Sequence, residues 1–140
     1  QYYFHNRFKF PRKVHLGDKP INDLGWEIYP KGIYNILKEL SAYNLPIYIT
    51  ENGLADAFDY QRLDFIRDHL LYIHRAIEEG VDVRGYFYWS LLDNFEWDKG
   101  FWPRFGLVGV DYDDQERIVR KSALFYAQVC QDNALETESI

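Results

Sequence analysis

Two short runs of apolar and aromatic residues set the limits on what this chain can be. Leu45-Pro46-Ile47-Tyr48-Ile49-Thr50 stops just before Asn52-Gly53, and residues 83–92 hold Gly85-Tyr86-Phe87-Tyr88-Trp89. Each reads as a buried strand, because β-branched and aromatic side chains fill a pleated surface covered on both faces. Between them, from about Asp59 to Glu79, the apolar positions Leu63, Ile66, Leu70, Ile73 and Ile77 are spaced 3, 4, 3 and 4 apart, and Gly80 supplies a left-handed stop. A helix crossing between two buried strands leaves them parallel. Two such strands cannot close a sheet, since each keeps an edge of unpaired backbone groups that a stable protein covers. The fold class is α/β, and the chain reads as part of something larger.

The remainder fits that rhythm. The first 28 residues are loop-like, punctuated by Pro11, Gly17, Pro20 and Gly25. A helix then begins at Pro30, with Ile33, Ile36, Leu37 and Leu40 on one face, and is expected to end at 42–44. After the second strand come a polar, aromatic loop over 93–104, an extended segment over 105–111 and an acidic turn through Asp113, Asp114 and Glu116. A last helix over 121–133 is expected to pack Ala123, Phe125, Tyr126, Val129 and Cys130, with a frayed tail behind it. No repeat or linker divides the chain, so residues 1–140 are expected to be a single unit.

Composition narrows the partners. Sixteen Lys+Arg against 22 Asp+Glu give a net charge of −6, which offers no footprint for nucleic acid or an anionic membrane. No apolar run approaches a membrane span, and the start Gln1-Tyr2-Tyr3-Phe4-His5-Asn6-Arg7 is no signal peptide, so the chain reads as soluble. The single cysteine, Cys130, excludes an intramolecular disulfide and makes a cytoplasmic location the expectation. Aromatic residues reach 19%, an excess that calls for either a large core or an aromatic-lined cleft.

Two clusters carry candidate chemistry. Glu51 ends the first buried run, and in α/β sheets functional groups sit at the carboxyl ends of strands. The competing reading is a hairpin, because Asn52-Gly53 is a strong two-residue turn signal and would leave Glu51 a surface residue. The second cluster is Tyr88-Trp89-Ser90-Leu91-Leu92-Asp93-Asn94-Phe95-Glu96-Trp97, where a strand runs into a loop holding a carboxylate between two tryptophans. Sugars present an apolar C–H face and a rim of hydroxyls, so this mixture suits them; an aromatic core under a loop is the alternative. His69 and His74 are five apart rather than four and read as ordinary helix residues. The acidic turn lacks the glycine and closing carboxylate of a calcium loop. No metal site and no cofactor are expected.

These residues, together with Ile49-Thr50-Glu51-Asn52-Gly53, Gly100-Phe101 and Arg104-Phe105-Gly106-Leu107-Val108, closely resemble the carboxy-terminal part of family 1 glycoside hydrolases, the β-glucosidases and β-galactosidases. The resemblance implies a (β/α)8 barrel of which residues 47–50 form the seventh strand and 85–90 the eighth. It makes Glu51 the nucleophile of a retaining mechanism and Tyr3 the tyrosine that hydrogen-bonds it, although the family usually has Asn where Gln1 stands. By the same resemblance Trp89 is the platform beside the cleaved bond, and Glu96 the bidentate acceptor for the sugar 4- and 6-hydroxyls. Trp97 is a donor to the 3-hydroxyl and Phe105 an aromatic wall. Relatives acting on 6-phosphorylated sugars carry Ser at the position of Glu96, so an unphosphorylated glycone is expected.

A retaining glycosidase also needs an acid/base carboxyl about 5–5.5 Å from the nucleophile. In this family it lies in an Asn-Glu-Pro motif, and that tripeptide is absent from the sequence. The expectation is therefore a carboxy-terminal portion that works with an amino-terminal part of the same barrel on a β-glycoside substrate. The alternative is a catalytically inactive half-barrel that binds carbohydrate or is purely structural.

Overall fold

A computed structural model of the chain describes residues 19–135; Gln1 and Tyr3 lie outside them. Three helices, α1 (Lys31–Leu40), α2 (Arg62–Glu78) and α3 (Lys121–Asp132), alternate with strands β1 (Ile47–Asn52) and β2 (Val83–Tyr88). A hairpin of β3 (Val108–Val110) and β4 (Arg117–Val119) precedes α3. β1 and β2 pair in parallel, with Ile47 opposite Val83, Ile49 opposite Tyr86 and Asn52 opposite Tyr88. That pairing removes the hairpin reading of Asn52-Gly53, because the chain leaves β1 for α2 and no antiparallel strand follows.

Two apolar clusters cover one face of the pair. Ile33 and Leu37 of α1 meet Ile49 of β1 and Ile73 and Ala76 of α2 in the first. Nearer the carboxyl ends of the strands, Leu54, Phe65, Ile66, Tyr88 and Leu107 form the second, closed by Ala123, Phe125 and Tyr126 of α3. Burial of such side chains contributes about 1.5–3 kcal/mol each and sets the angle at which the helices lie on the strands.

Several local expectations need correction. α2 starts at Arg62 rather than Asp59, since Asp59 has φ +60 and turns its carboxylate to Ser122 and Arg62. Ile77, placed by its spacing on the packed face, is 44% exposed, and Ala76 takes the buried position. Cys130 is likewise exposed on α3. The acidic turn is the loop of the β3–β4 hairpin, closed by its own carboxylates: Asp111 accepts the Asp113 N–H at 2.9 Å and Asp114 that of Glu116 at 2.8 Å. No helix among the described residues is long and apolar enough to cross a membrane.

Candidate active site at the strand ends

Strict alternation along β1 would put Glu51 on the same side as Ile49, under the helices. The ladder is instead irregular between Ile49 and Asn52, and burial along the strand breaks step there, with Thr50 and Glu51 both exposed and Asn52 buried. An irregularity of this kind re-aims a side chain at the cost of local pairing. Here it turns the Glu51 carboxylate to the open side and tucks Asn52 beneath. Asn52 then ties the strands together, its carbonyl accepting the Trp89 N–H at 3.0 Å and its Oδ1 the Tyr86 hydroxyl at 2.9 Å. Gly53 completes the junction, because a Cβ there would stand 1.6 Å from the Trp89 carbonyl oxygen. No residue but glycine fits.

Trp89 leaves β2 at this junction, 38% exposed, through a cis peptide to Ser90. Behind it lies a buried polar knot. Tyr88 hydroxyl accepts from Arg62 Nε at 3.0 Å and from the Leu54 N–H at 3.2 Å, and burial pushes its pKa up to about 12, so it stays neutral. Arg62, fully buried, also donates to the Arg104 carbonyl at 2.8 Å and is paired with Asp59. Burial alone would raise the Asp59 carboxyl, but hydrogen bonds from Ser122, with the Arg62 guanidinium, outweigh it and hold the group below the ordinary aspartate value.

The loop over 93–104 carries the second carboxylate. Its first residue, Asp93, is buried and accepts from Gly106 N at 2.8 Å and from both terminal nitrogens of Arg120, at 2.9 and 3.0 Å. Burial would raise this carboxyl too, yet the Arg120 and Gly106 donors lower it. Asn94 Nδ2 donates to Ser90 Oγ at 3.0 Å, and Phe101 lies between Phe95 and Tyr112, at 5.1 and 4.7 Å between ring centroids. The tip is a short 3-10 turn, Trp97–Lys99, closed by Glu96 N–H to the Gly100 carbonyl at 2.7 Å.

On this clamped loop Glu96 is half-buried and Trp97 is 80% exposed with φ +48. Burial first, and the negative charge of Glu51 second, push the Glu96 carboxyl above the ordinary glutamate value, with Asp98 adding to the effect. Two carboxylates, one at the end of β1 and one on the loop that follows β2, therefore share one field, with Trp97 next to Glu96 on the loop and Trp89 at the end of β2. Within this chain the rings of Trp89 and Trp97 are 38% and 80% exposed, while the aromatic packing of the loop falls to Phe95, Phe101 and Tyr112. Phe105, whose carbonyl accepts the Ser90 N–H at 3.2 Å, is by contrast 4% exposed, its ring packed against Trp26 at 6.4 Å between centroids. Tyr3 lies outside the described residues.

Sequence reasoning gave no role to Asp93, Arg120, Arg62 or Asn52, which hold the site together. Charged residues read as surface in a sequence, and nothing in the spacing of Asp93 and Arg120 foretells their pairing. His69 proves to be buried, its Nδ1 at 2.7 Å from the Phe65 carbonyl oxygen. Among the described residues no group of three or more His, Cys, Asp or Glu could hold a metal ion.

The sequence model described as Glycosyl hydrolase family 1 matches residues 9–135. The Beta-galactosidase of Sulfolobus acidocaldarius is 48% identical over 124 residues, covering 88% of this chain and 25% of that protein. Beta-glucosidase A of Thermotoga maritima is 45% identical over 152 residues, covering 96% of this chain and 34% of that protein. The solved family 1 b-glucosidase from T. maritima superposes with a TM-score of 0.83 at 46% identity, over 86% of this chain and 30% of that one. The chain thus spans a quarter to a third of the length of the relatives it matches.

Proposed function

As the chain belongs to glycosyl hydrolase family 1 and has the α/β fold of strands seven and eight of its (β/α)8 barrel, we propose that it supplies the nucleophile and the sugar-holding half of a retaining β-glycosidase, a cytoplasmic enzyme acting on unphosphorylated β-D-glycosides. The observation that carries this reading is that the charge of Glu51, at the end of β1, reaches the carboxyl of Glu96 on the loop after β2, with Trp89 at the end of β2 and Trp97 beside Glu96 both exposed.

Glu51 attacks the anomeric carbon of the glycone while the bond to the leaving oxygen breaks, giving a covalent glycosyl-enzyme that water hydrolyses. Tyr3 hydrogen-bonds that carboxylate. Glu96 accepts hydrogen bonds from the 4- and 6-hydroxyls, Trp97 donates to the 3-hydroxyl, Trp89 stacks on the C–H face, and Phe105 backs the wall. The two carboxylates are coupled through their charges. Once Glu51 becomes an ester its charge is gone, so the Glu96 carboxyl returns toward the ordinary glutamate value and stays ionised as the intermediate forms. A carboxylate at Glu96 also repels a phosphate dianion, in favour of a free 6-hydroxyl. The acid/base that protonates the leaving oxygen comes from an amino-terminal part of the same barrel; residues 1–140 act as a single unit within it.

The test is a chimera in which residues 19–135 replace the matching segment of T. maritima Beta-glucosidase A. It is expected to hydrolyse an aryl β-glucoside, and Glu51→Gln is expected to lower kcat by a factor of about 10⁴. In Glu51→Gly, added azide should restore aglycone release by forming a C–N bond at the vacated face, yielding the α-glycosyl azide. Sugar binding without turnover in the chimera would instead favour an inactive carbohydrate-binding half-barrel.

A further inference from the structure

We propose that Asp93 and Arg120 are positioning residues for Glu96, fixing where its carboxylate stands relative to Glu51 and so deciding how well the site reads the 4- and 6-hydroxyls of the glycone. The inference rests on the role proposed above for Glu96; neither Asp93 nor Arg120 touches the sugar.

Glu96 lies three residues beyond Asp93, and the chain between them has little freedom. Asp93 N–H donates to the Val108 carbonyl at 3.1 Å. Its carboxylate accepts from Gly106 N at 2.8 Å and Val110 N at 3.3 Å, and takes the Arg120 guanidinium with both oxygens, at 2.9 and 3.0 Å. Asn94 is held in turn, its Nδ2 donating to Ser90 Oγ at 3.0 Å and its carbonyl accepting the Tyr112 hydroxyl at 3.4 Å. The backbone donors alone would tie the start of the loop to β3 and its approach. What the guanidinium adds is a tie to the start of α3.

That start is itself referenced to the strand ends. Ser122 donates to the Asp59 carboxylate from N at 3.0 Å and from Oγ at 2.6 Å, and Asp59 pairs with Arg62. Arg62 Nε donates to the Tyr88 hydroxyl at 3.0 Å, and the same hydroxyl accepts the Leu54 N–H at 3.2 Å. Tyr88 is the last residue of β2, and Leu54 follows Glu51 by three residues. Residues 120–122 therefore join the loop of Glu96 to the end of β2 and to the chain leaving Glu51. Every side chain in this relay is buried or nearly so, with Arg62 and Ser122 at 0% and the Asp93 and Arg120 side chains at 1% and 11%.

A buried ion pair often stabilises a fold no more than apolar residues of the same volume, but a bidentate one admits a single orientation. Arg120 Nη1 also donates to the Gly106 carbonyl, so the plane of the guanidinium is set twice. The gain from such a pair is placement, and misplacing a substrate-reading group by about 1 Å can cost about a hundredfold in rate.

The experiment uses the chimera described above, carrying Arg120→Lys or, separately, Asp93→Asn. Lysine keeps the charge and loses the planar fork. Each chimera is assayed on an aryl β-D-glucoside and on its 4,6-dideoxy analogue, which has no hydroxyl to offer Glu96. The ratio of the two kcat/KM values reads that contact; a smaller folded fraction lowers both values by one factor and leaves the ratio unchanged. The unsubstituted chimera is expected to prefer the glucoside, and Arg120→Lys to reduce that preference about tenfold or more, through the glucoside value. A preference unchanged in both variants overturns the positioning role and leaves the proposed function standing. Turnover without any preference in the unsubstituted chimera overturns the role of Glu96, and the inference with it. Loss of all activity on both substrates in both variants makes the pair a requirement of folding and overturns the positioning role.

Discussion

Asp93 grips the Arg120 guanidinium with both carboxylate oxygens, at 2.9 and 3.0 Å, across 27 residues of sequence. The pair joins the start of the loop that bears Glu96 to the residue preceding α3. Its side chains are 1% and 11% exposed, so removing one partner leaves a buried charge unmatched. Asp93→Asn is therefore expected to cost about 3–5 kcal/mol in urea unfolding. Hydrogen exchange should quicken first at Gly106 and Val110, whose N–H groups the same carboxylate holds. Unchanged stability would show that the pair is dispensable.

The coupling between Glu51 and Glu96 can be read directly. Glu51→Gln removes one of the charges that raise the Glu96 carboxyl, so its titration, followed by ¹³C NMR, should move to lower pH. A carboxyl raised in the folded state binds more protons there than in the unfolded chain, and stability falls as pH rises through it. Glu96→Gln should accordingly raise the melting temperature at neutral pH while abolishing sugar binding.

Acid should weaken the fold in two stages. Burial depresses the His69 pKa to about 4, against an ordinary value of 6.5. Its neutral form contributes stability that is full above about pH 6.5 and is lost as pH falls toward 4, roughly 3 kcal/mol in all. Asp59 and Asp93, both held below the ordinary value, contribute stability present above about pH 4 and lost below it. Urea midpoints between pH 7 and 4.5 should slope less in His69→Phe.

Gly53→Ala places a methyl against the Trp89 carbonyl, and a backbone atom cannot swing aside. The expected cost is about 3 kcal/mol or more, read as a lower denaturation midpoint. A near-neutral result would mean that the two strand ends can separate.

The alternation of helix and strand was legible because apolar spacing and strand-ending residues are local signals. Gly80 ends α2 at φ +89 as its position implied. Where α2 begins was not legible, since its first N–H groups are held by Asp56 from a loop upstream rather than by an adjacent cap. Nor was β4, whose residues Arg117, Ile118 and Val119 are all exposed and take their form from pairing with β3. Glu51 and Glu96 stood out by position after buried runs. Arg62 did not, because a fully buried arginine is recognisable only through partners scattered from Asp56 to Arg104.

The fit of Gly53 under the Trp89 carbonyl separates two kinds of position for anyone wishing to alter the proposed sugar site. Residues at the junction of β1 and β2 move together or not at all, so a library built there samples mostly broken proteins. Trp97, 80% exposed on a loop fastened elsewhere, can be exchanged without disturbing either strand. Variation confined to that tip should alter the loop one residue at a time, leaving Glu51 where it stands.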